Sequence, residues 1–499
     1  MIQALIKSKY DDATIAGVLL DLDNGISEKP RERGRRWVLQ EIDRARRKAP
    51  VTKSNASNEG EPPNENFIVH RNIMVEMPSG PIKTLADEIL TSDHFAQDAG
   101  RKLYRFHEGC YKADGAAYVK HRVKGLLQEW GQSAKWSSHR AEEVVEYLRV
   151  DAPFLWACPP LHRINVKNGL LDLETLELLE HSPDHLSSVQ LPVAYDVRAQ
   201  CPAWKKFVNQ VFPKDTRKVA WEIVAQLMIP DTSIQRAILL EGPGGNGKST
   251  YLQAIIAFLG RHNVASVSLH KLESDRFAVD RLVGRLANIC PDLPSHHLVG
   301  TSIFKAITGG DLITAEYKYH DSFDFTPFAR LVFSTNHLPR SGDDSPAFFD
   351  RWVVIPFTKS FRGTRQEVSR TILDARLCGP GELSGVLNRA LAVLCQLRAH
   401  GFTISESMRR SWDEFRETTN PLAVWLGRMT VEHSEAMVTK GALLQAYNID
   451  CERSGRPLMT KTAFGLAIRR LRPHLQDAQR TVEGRKQAWV WLGIGLKAI

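Results

Sequence analysis

Residues 242–249 read GPGGNGKS; they follow the apolar run AILLE at residues 237–241 and precede TYLQAIIAFLG at residues 250–260. The motif fits the pattern GxxxxGK[ST], which joins a strand to a helix in phosphate-binding loops. Its glycines let the backbone curl so that successive N–H groups point at one phosphate, while a chance glycine-rich turn is the alternative. The motif predicts an α/β fold that binds ATP and Mg²⁺ through Gly242, Pro243, Gly244, Gly245, Asn246, Gly247, Lys248, Ser249 and Thr250. Lys248 is expected to reach the β- and γ-phosphates, and Ser249 to hold the metal.

A candidate for the second metal ligand lies in LANICPDLP, at residues 286–294. The apolar run at residues 286–290 predicts a buried strand, and Asp292 follows its carboxyl end, where α/β sheets bind ligands. We therefore expect Asp292 to hold Mg²⁺ and to act in catalysis, with a loop aspartate before Pro294 as the alternative. No second acid follows Asp292, so the group that activates the attacking water stays open.

Two further catalytic candidates follow along the chain. The run FARLVFSTN predicts a strand that ends at Asn336, where an amide could orient water or touch the γ-phosphate, although asparagine also forms ordinary turns. Arg351 lies in FFDRW and could neutralise transition-state charge on the nucleotide of a neighbouring subunit. That role would require a ring, and the alternative is a surface salt bridge with Asp350.

The segment ITAEYKYHDSFDF, at residues 313–325, predicts a β-hairpin with Lys318, Tyr319 and His320 near its tip. Cationic and aromatic side chains suit single-stranded DNA, which is held by phosphate charge and base stacking. A solvated β-turn is the alternative.

The C-terminal end of the chain is strongly basic, with ten lysines and arginines against two acids in residues 453–497. Two helical patterns, at residues 439–455 and 460–475, precede a two-stranded pattern at residues 480–493, which together predict a winged helix. Trp489 and Trp491 are expected to pack against those helices. The predicted DNA contacts are Lys461, Arg469, Arg470, Arg472, Arg485 and Lys486.

Taken together, these segments resemble the superfamily 3 helicases found in the C-terminal half of phage and plasmid primase-helicase proteins, relatives of the poxvirus primase-helicase. The resemblance covers roughly residues 100–400 and includes INVKNGLLDLETLELLEHSPDHL, GPGGNGKST, LANICPDLP, ITGGDLITAEYKY, LVFSTNHLP and FFDRWVVIPF. It implies a Walker A motif at Lys248 and Ser249, Walker B at Asp292, a DNA-contacting hairpin at Lys318 and His320, a sensor at Asn336 and an arginine finger at Arg351. Paired Walker B acids are common in that family, and Leu293 departs from the pattern.

The resemblance also implies an architecture and a function. We expect a P-loop AAA+ (superfamily 3) ATPase with an α+β N-terminal accessory domain and a C-terminal winged helix. The implied activity is an ATP-dependent helicase of phage or plasmid replication, a hexameric ring that translocates on single-stranded DNA, acts on forked DNA and works with a separate primase or polymerase. The expected divisions are an N-terminal remnant and linker (1–66), the accessory domain (67–200), a helical connector or collar (201–232), the ATPase with its lid (233–400) and the winged helix (401–499).

The remaining features limit the other classes of function. The N-terminal segment is short for a primase-polymerase domain, and Asp21 and Asp23 form a lone DxD pair, so primer synthesis is not assigned. A basic cluster at residues 29–48 is as consistent with a solvated helix face as with nucleic-acid contact. Seven scattered cysteines and ordinary apolar content predict a cytosolic protein without a membrane span, a zinc site or a disulfide framework. An AAA+ replication-initiation or transcriptional regulator and a DNA-packaging motor are the other candidates, since both share the loop.

Overall fold

The computed structural model describes residues 81–293, 298, 300–318, 321–339, 341, 343, 345–481 and 487–497. The predicted N-terminal remnant, the linker and the basic cluster at residues 29–48 lie outside the described residues. Within the described part of the chain, no helix is both long and apolar enough to cross a bilayer.

The first described segment is a small α+β layer with its own apolar core. Its elements are α1 (Pro81–Leu90), β1 (Phe95–Gln97), β2 (Leu103–His107), β3 (Cys110–Lys112), α2 (Gly115–Glu129) and α3 (Ser138–Asp151). The three strands are antiparallel in sequential order, and the three helices bury one cluster that extends from Leu85 to Ala152. Helix α3 begins after Ser137, whose hydroxyl accepts a hydrogen bond from the Arg140 N–H and so caps the first turn.

A second antiparallel unit follows, formed by β4 (Arg163–Val166), β5 (Gly169–Asp172) and β6 (Leu178–Leu179). Lys167 and Asn168 alone connect β4 to β5, because Val166 pairs with Gly169. After β5 the chain turns at Asp172, whose carboxylate accepts from the N–H groups of Glu174 and Thr175. Ile164 and Leu171 of this unit belong to the same apolar cluster as Phe258 of the following segment, so the hairpin packs onto the central sheet.

A five-stranded parallel sheet forms the centre of the molecule. Its strands are β7 (Ala237–Glu241), β8 (Val264–Ala265), β9 (Ala287–Cys290), β12 (Arg330–Thr335) and β13 (Trp352–Pro356). A separate hairpin is formed by β10 (Ile313–Glu316) and β11 (Ser322–Phe325). The helices of this region are α4 (Pro202–Val211), α5 (Arg217–Leu227), α6 (Lys248–Leu259), α7 (Leu269–Ser274), α8 (Ser302–Gly309), α9 (Pro346–Phe349), α10 (Arg370–Leu377) and α11 (Pro380–His400). The strand order is β13-β7-β12-β9-β8, with every neighbouring pair parallel. A parallel sheet covered on both faces needs nearly continuous apolar strands, which is what AILLE and RLVFST supply.

Alternate residues of the strands feed two separate apolar layers. Ile238 and Leu240 of β7 face the layer that contains α4, α5, α6 and α11, whereas Leu239 faces the layer with Phe304 and Trp352. Helix α12 (Glu406–Thr419) joins this second layer, because Phe415 is fully buried in it and the Trp412 indole N–H donates to the Phe349 carbonyl at 3.0 Å. The domain boundary expected at residue 401 therefore precedes a helix that packs with the central sheet.

The predicted hairpin at residues 313–325 is confirmed as β10 paired antiparallel with β11. Its tip begins at Tyr317, whose hydroxyl donates to the Asp98 carboxylate of the first α+β layer at 2.8 Å. The Tyr104 hydroxyl donates to the same carboxylate oxygen at 3.0 Å, and Asp98 is only 5% exposed. Burial and the neighbouring Asp98 charge raise the pKa of Tyr317 well above its usual range. The hairpin is thus attached to the first layer by a buried, charge-assisted hydrogen bond.

The C-terminal segment consists of α13 (Pro421–Met429), β14 (Thr430–Thr439), α14 (Lys440–Arg453), α15 (Lys461–Leu471), β15 (Gln476–Arg480) and β16 (Ala488–Leu496). Both predicted helices are confirmed. A strand pair follows them, but its first strand, β15, lies almost entirely before the predicted range of residues 480–493, and β14 adds a third strand in the order β14-β16-β15. The packing expectation holds for Trp491, which is 1% exposed, and is wrong for Trp489, which is 52% exposed. The Lys440 ammonium lies 5.1 Å from the centre of the Trp489 ring, which remains outside the apolar cluster of this segment.

We expect Tyr317→Phe to lower the free energy of unfolding by about 1–2 kcal/mol, because it deletes one hydrogen bond to a buried carboxylate. The control is Tyr195→Phe, which removes the same atom from a tyrosine whose hydroxyl makes no hydrogen bond within the described part of the chain. Thermal or urea denaturation followed by circular dichroism measures both. Equal stability of the two variants would contradict the attachment.

Candidate functional site

The predicted strand, loop and helix around GPGGNGKS are confirmed as β7, the loop at residues 242–247 and α6. Gly247 caps α6 with φ of +92°, a left-handed conformation that a side chain would strain. Helix α6 begins at Lys248, so the N–H groups of its first turn have no partner inside the helix and are available to an anion. The local sequence therefore builds a curled loop at the carboxyl edge of the sheet.

The Lys248 side chain is buried and surrounded by oxygen atoms. Its Nζ donates to the carbonyl oxygens of Gly242 and Pro243, to Asn246 Oδ1 at 3.2 Å and to Asn336 Oδ1 at 3.3 Å. Burial lowers the pKa of Lys248, and the nearby carboxylates of Glu241 and Asp292 oppose that shift. The structure thus brings the predicted lysine and the predicted asparagine into contact from two different strand ends.

One cavity of about 440 Å³ collects most of the predicted catalytic and phosphate-contacting residues. Its lining consists of residues 244–250, Pro291, Asp292, Ser334, Thr335, Asn336 and Arg362. Asp292 and Ser249 are both exposed on its wall. Gly242 and Pro243 do not line the cavity, but their carbonyl oxygens accept hydrogen bonds from the Lys248 ammonium.

Asp292 follows β9 as predicted, in an unusual backbone conformation. Its φ is +65°, which is uncommon for a residue other than glycine and costs energy unless the surroundings fix it. The Asp292 N–H donates to Ser334 Oγ at 3.3 Å, and the Leu293 N–H donates to the Ser334 carbonyl at 2.7 Å. These bonds to β12 hold the carboxylate at the cavity.

Glu241, the last residue of β7, is a half-buried carboxyl group that the sequence reasoning did not consider. Burial raises its pKa, as does the Glu414 carboxylate of α12, whereas Lys248 opposes the rise. Strand β7 therefore ends in a carboxyl group whose charge acts on the Lys248 ammonium.

Arg362 is a charged residue of the cavity that sequence reasoning missed. It follows β13, which is parallel to β7, so the chain leaves both strands at the same edge of the sheet. The Phe361 N–H donates to the Gly245 carbonyl at 2.8 Å, and the Asn246 amide donates to the Phe357 carbonyl at 3.1 Å. This return segment lies against the glycine-rich loop and brings a guanidinium to the cavity. The sequence shows the apolar run that forms β13, but it does not show that β13 pairs with β7.

Arg351 lies at the opposite edge of the sheet from Lys248. Its carbonyl accepts from the Ala237 N–H at the start of β7, and Trp352 pairs with Ala237 while Pro356 pairs with Glu241. Four residues of parallel strand span about 13 Å, which separates Arg351 from the end of β7 within one subunit. Its Nη1 donates to the Ala347 carbonyl, and no ion pair with Asp350 exists among the described residues.

The predicted DNA contacts fall in two parts of the chain. Lys318 follows Tyr317 at the hairpin tip, whereas Tyr319, His320, Arg485 and Lys486 lie outside the described residues. In the C-terminal segment, Arg469 pairs with Asp477 and Arg472 pairs with Glu432, while Arg470 and Lys461 are exposed. Lys461 and Arg469 line a cavity of about 1010 Å³ together with Lys440 and the exposed Trp489.

Two family profiles match separate parts of the chain. The profile described as D5 N terminal like matches residues 85–213, and a family of unknown function (DUF5906) matches residues 240–351. The second range begins just before the glycine-rich loop and ends at Arg351.

Viral relatives of the chain carry helicase names. The protein "Putative helicase L207/L206" of Acanthamoeba polyphaga mimivirus is 27% identical over 209 residues, and "Putative helicase 121R" of Invertebrate iridescent virus 3 is 25% identical over 215 residues. Together with the two profiles, these matches make the chain similar to phage and viral primase-helicase proteins. The matched region is 40% of this chain in both cases, but only 22% and 23% of the two relatives, so the chain spans about a fifth of their length.

Solved structures of similar chains include "The A form apo structure of NrS-1 C terminal region-CTR". That likeness covers 82% of this chain and 98% of the solved chain, with 12% sequence identity and a TM-score of 0.45.

Substituting two glycines of the loop should give different results. Gly242 has φ of +148°, and a Cβ there would lie 2.3 Å from the Phe357 carbonyl oxygen, so Gly242→Ala must displace the backbone. At Gly244 a Cβ would meet no atom within 4 Å, and φ is not left-handed, so Gly244→Ala is the matched control. We expect Gly242→Ala to cost on the order of 1–3 kcal/mol in thermal denaturation and Gly244→Ala almost nothing. A stable Gly242→Ala protein would show that the loop does not pack as described.

Proposed function

We propose that this chain is an ATP-dependent DNA helicase of phage or plasmid replication, a ring-forming motor that translocates on single-stranded DNA. The proposed fold is a P-loop AAA+ ATPase of superfamily 3 followed by a winged helix. The observation that carries the proposal is the single cavity at the carboxyl edge of the parallel sheet that Lys248, Ser249, Asp292 and Asn336 line. The helicase names of the viral relatives support it.

ATP and Mg²⁺ are the proposed cofactors, and the residues of the cavity fit them. Among the described residues, the Lys248 ammonium donates only to carbonyl and amide oxygens, which the more negative oxygens of a triphosphate would replace. Ser249 and Asp292 supply the oxygen ligands that Mg²⁺ prefers, and their exposure leaves room for its water molecules. When bound, Mg²⁺ neutralises charge on the β- and γ-phosphate oxygens.

Asn336 and Arg362 complete the part of the site that one subunit supplies. The Asn336 amide oxygen already accepts from Lys248, which leaves its NH₂ group to bind the γ-phosphate or the attacking water. Arg362 adds a second cation on the other side of the glycine-rich loop.

We assign Arg351 to the nucleotide of a neighbouring subunit. In its own subunit the whole length of β7 separates Arg351 from the cavity, which favours action across an interface over action within the subunit. A ring, proposed as a hexamer, supplies that interface and encloses a single strand.

The proposed DNA contacts are Lys318, Tyr319 and His320 at the hairpin and Lys461, Arg469, Arg470, Arg472, Arg485 and Lys486 in the C-terminal segment. A separate primase or polymerase is the proposed partner.

An ATPase assay with and without single-stranded DNA, combined with unwinding of a forked duplex, tests the function. We expect DNA to stimulate hydrolysis and ATP to drive strand separation. DNA-stimulated hydrolysis without separation would favour an AAA+ regulator, and movement on duplex DNA alone would favour a packaging motor.

Lys248→Ala should reduce ATP hydrolysis to background, because it removes the cation that faces the β- and γ-phosphates. The fold should persist, as judged by circular dichroism, since the lysine lies in a loop-to-helix junction rather than in an apolar layer. Lys271→Ala, at an exposed position of α7, is the control and should hydrolyse ATP at the wild-type rate. Hydrolysis by Lys248→Ala would remove the assignment of the cavity.

Mixtures of inactive variants distinguish residues that act within a subunit from those that act across an interface. Arg351→Ala should hydrolyse ATP about 10³-fold more slowly, as other enzymes do when such an arginine is removed. Mixed with Lys248→Ala, it should regain activity, because some sites combine an intact Lys248 with a neighbour's intact Arg351.

The matched control for that mixture is Arg362→Ala, which should also be slow. Mixed with Lys248→Ala it should recover nothing, because no subunit then carries both cations. If co-assembled Arg351→Ala and Lys248→Ala subunits also show no recovery, Arg351 does not act in trans.

A further inference from the structure

A basic groove lies outside both the ATP cavity and the C-terminal cations. It runs between α4, the short turn Lys214–Thr216, α5 and the first half of α11, and it encloses about 840 Å³. Five of its lining residues are cationic: Lys205, Lys214, Arg217, Lys218 and Arg389. None of the lining residues is an acid.

The carboxylates near the groove are occupied by other groups. Glu222 is buried and accepts from the Thr403 N–H and hydroxyl, and it also pairs with Lys218 at 3.6 Å. Glu382 accepts from the Trp204 N–H at 2.7 Å, and Asp215 accepts from the Ser407 N–H at 3.1 Å. Among the described residues, only Glu222 forms an ion pair with a cation of the groove, and the five cations outnumber these three acids, so the groove keeps a net positive charge.

Three of the five cations are available to a ligand. Lys205, Lys214 and Arg389 are exposed, and no ion pair involves them within the described part of the chain. The Arg389 guanidinium lies 5.8 Å from the centre of the Trp221 ring, which restricts its motion. Like charges held in one groove repel each other, and a bound polyanion offsets that cost.

Arg217 offers a further donor at the groove. One of its terminal nitrogens donates to the Asn209 carbonyl at 2.7 Å, which fixes the guanidinium. Its Nε–H is buried and has no acceptor among the described residues. Arg217 therefore adds a fixed positive charge to the lining of the groove.

We propose that this groove binds the sugar–phosphate backbone of a DNA strand. The ligand class, DNA, rests on the proposed function, whereas the binding surface rests on the charges and bonds above. The groove contacts phosphates rather than bases. Among its described lining residues the one aromatic side chain is Trp221, which is 6% exposed and offers no face on which a base could stack. The open groove spreads its cations over three helices and a turn, which fits an extended polyanion better than a mononucleotide.

The test is the salt dependence of single-stranded oligonucleotide binding by full-length protein. The variant combines Lys205→Ala, Lys214→Ala and Arg389→Ala, which leaves the Lys218–Glu222 pair and the Arg217–Asn209 bond intact. Each lost phosphate contact lowers the slope of log affinity against log salt by about 0.7, so the triple variant should lose about 2 from the slope. Its ATPase rate without DNA should remain that of the wild type.

The matched control combines Lys83→Ala, Lys167→Ala and Arg409→Ala, which removes the same charge from exposed positions outside the groove. This control should keep the wild-type slope of log affinity against log salt. In a separate comparison, Lys214→Glu alone should weaken oligonucleotide binding more than Lys214→Ala, because it places a negative charge in the groove. Equal slopes for the two triple variants would overturn the groove while leaving the helicase proposal in place. Weaker ATP binding by the groove variant with an unchanged DNA slope would identify a nucleotide site instead and overturn the proposal. Absence of DNA binding by the wild type would overturn both.

Discussion

The candidate site depends on the solvation of one buried ammonium group. A charge removed from water is costly unless polar groups replace the solvent, and for Lys248 the replacements are backbone carbonyls of the loop and the side-chain oxygens of Asn246 and Asn336. These acceptors come from the loop after β7 and from the end of β12, so the lysine joins two neighbouring strand ends. The remaining contacts of the loop, such as the Asn246–Phe357 bond, hold it in the curled form in which this solvation is possible. The fold thereby holds a cation at the cavity for which we propose ATP binding.

Strand polarity separates the two arginines around this lysine. Because β13 runs parallel to β7, the segment before it leaves Arg351 at the amino edge of the sheet, and the segment after it returns Arg362 to the carboxyl edge. The two cations lie only a short distance apart in sequence, yet a rigid strand keeps them on opposite edges. The direction of one strand therefore decides which arginine lies at the cavity and which lies at the opposite edge of the sheet.

Positive charge in the sequence is a poor guide to positive charge at the surface. In the basic C-terminal segment, part of the positive charge is paired with acids of the same segment. Asp477 forms ion pairs with Lys440 and Arg469, and Glu432 forms one with Arg472. The groove between α4, α5 and α11 is less conspicuous in sequence, but Lys205, Lys214 and Arg389 have no ion pair there among the described residues. A net charge counted along the chain cannot distinguish these cases, because ion pairing depends on which segments meet.

The sequence by itself determined the local parts of this protein: the strand, loop and helix around GPGGNGKS, the buried strands that precede Asp292 and Asn336, and the hairpin at residues 313–325. Each depends on turn chemistry and apolar periodicity within a few residues, which a sequence displays directly. It did not predict β14, the packing of α12 on the central sheet or the exposure of Trp489. Nor did it predict the return of Arg362 to the loop. Those features depend on which distant segments pack together and in which register, and that is decided by the burial of apolar surface across the whole molecule.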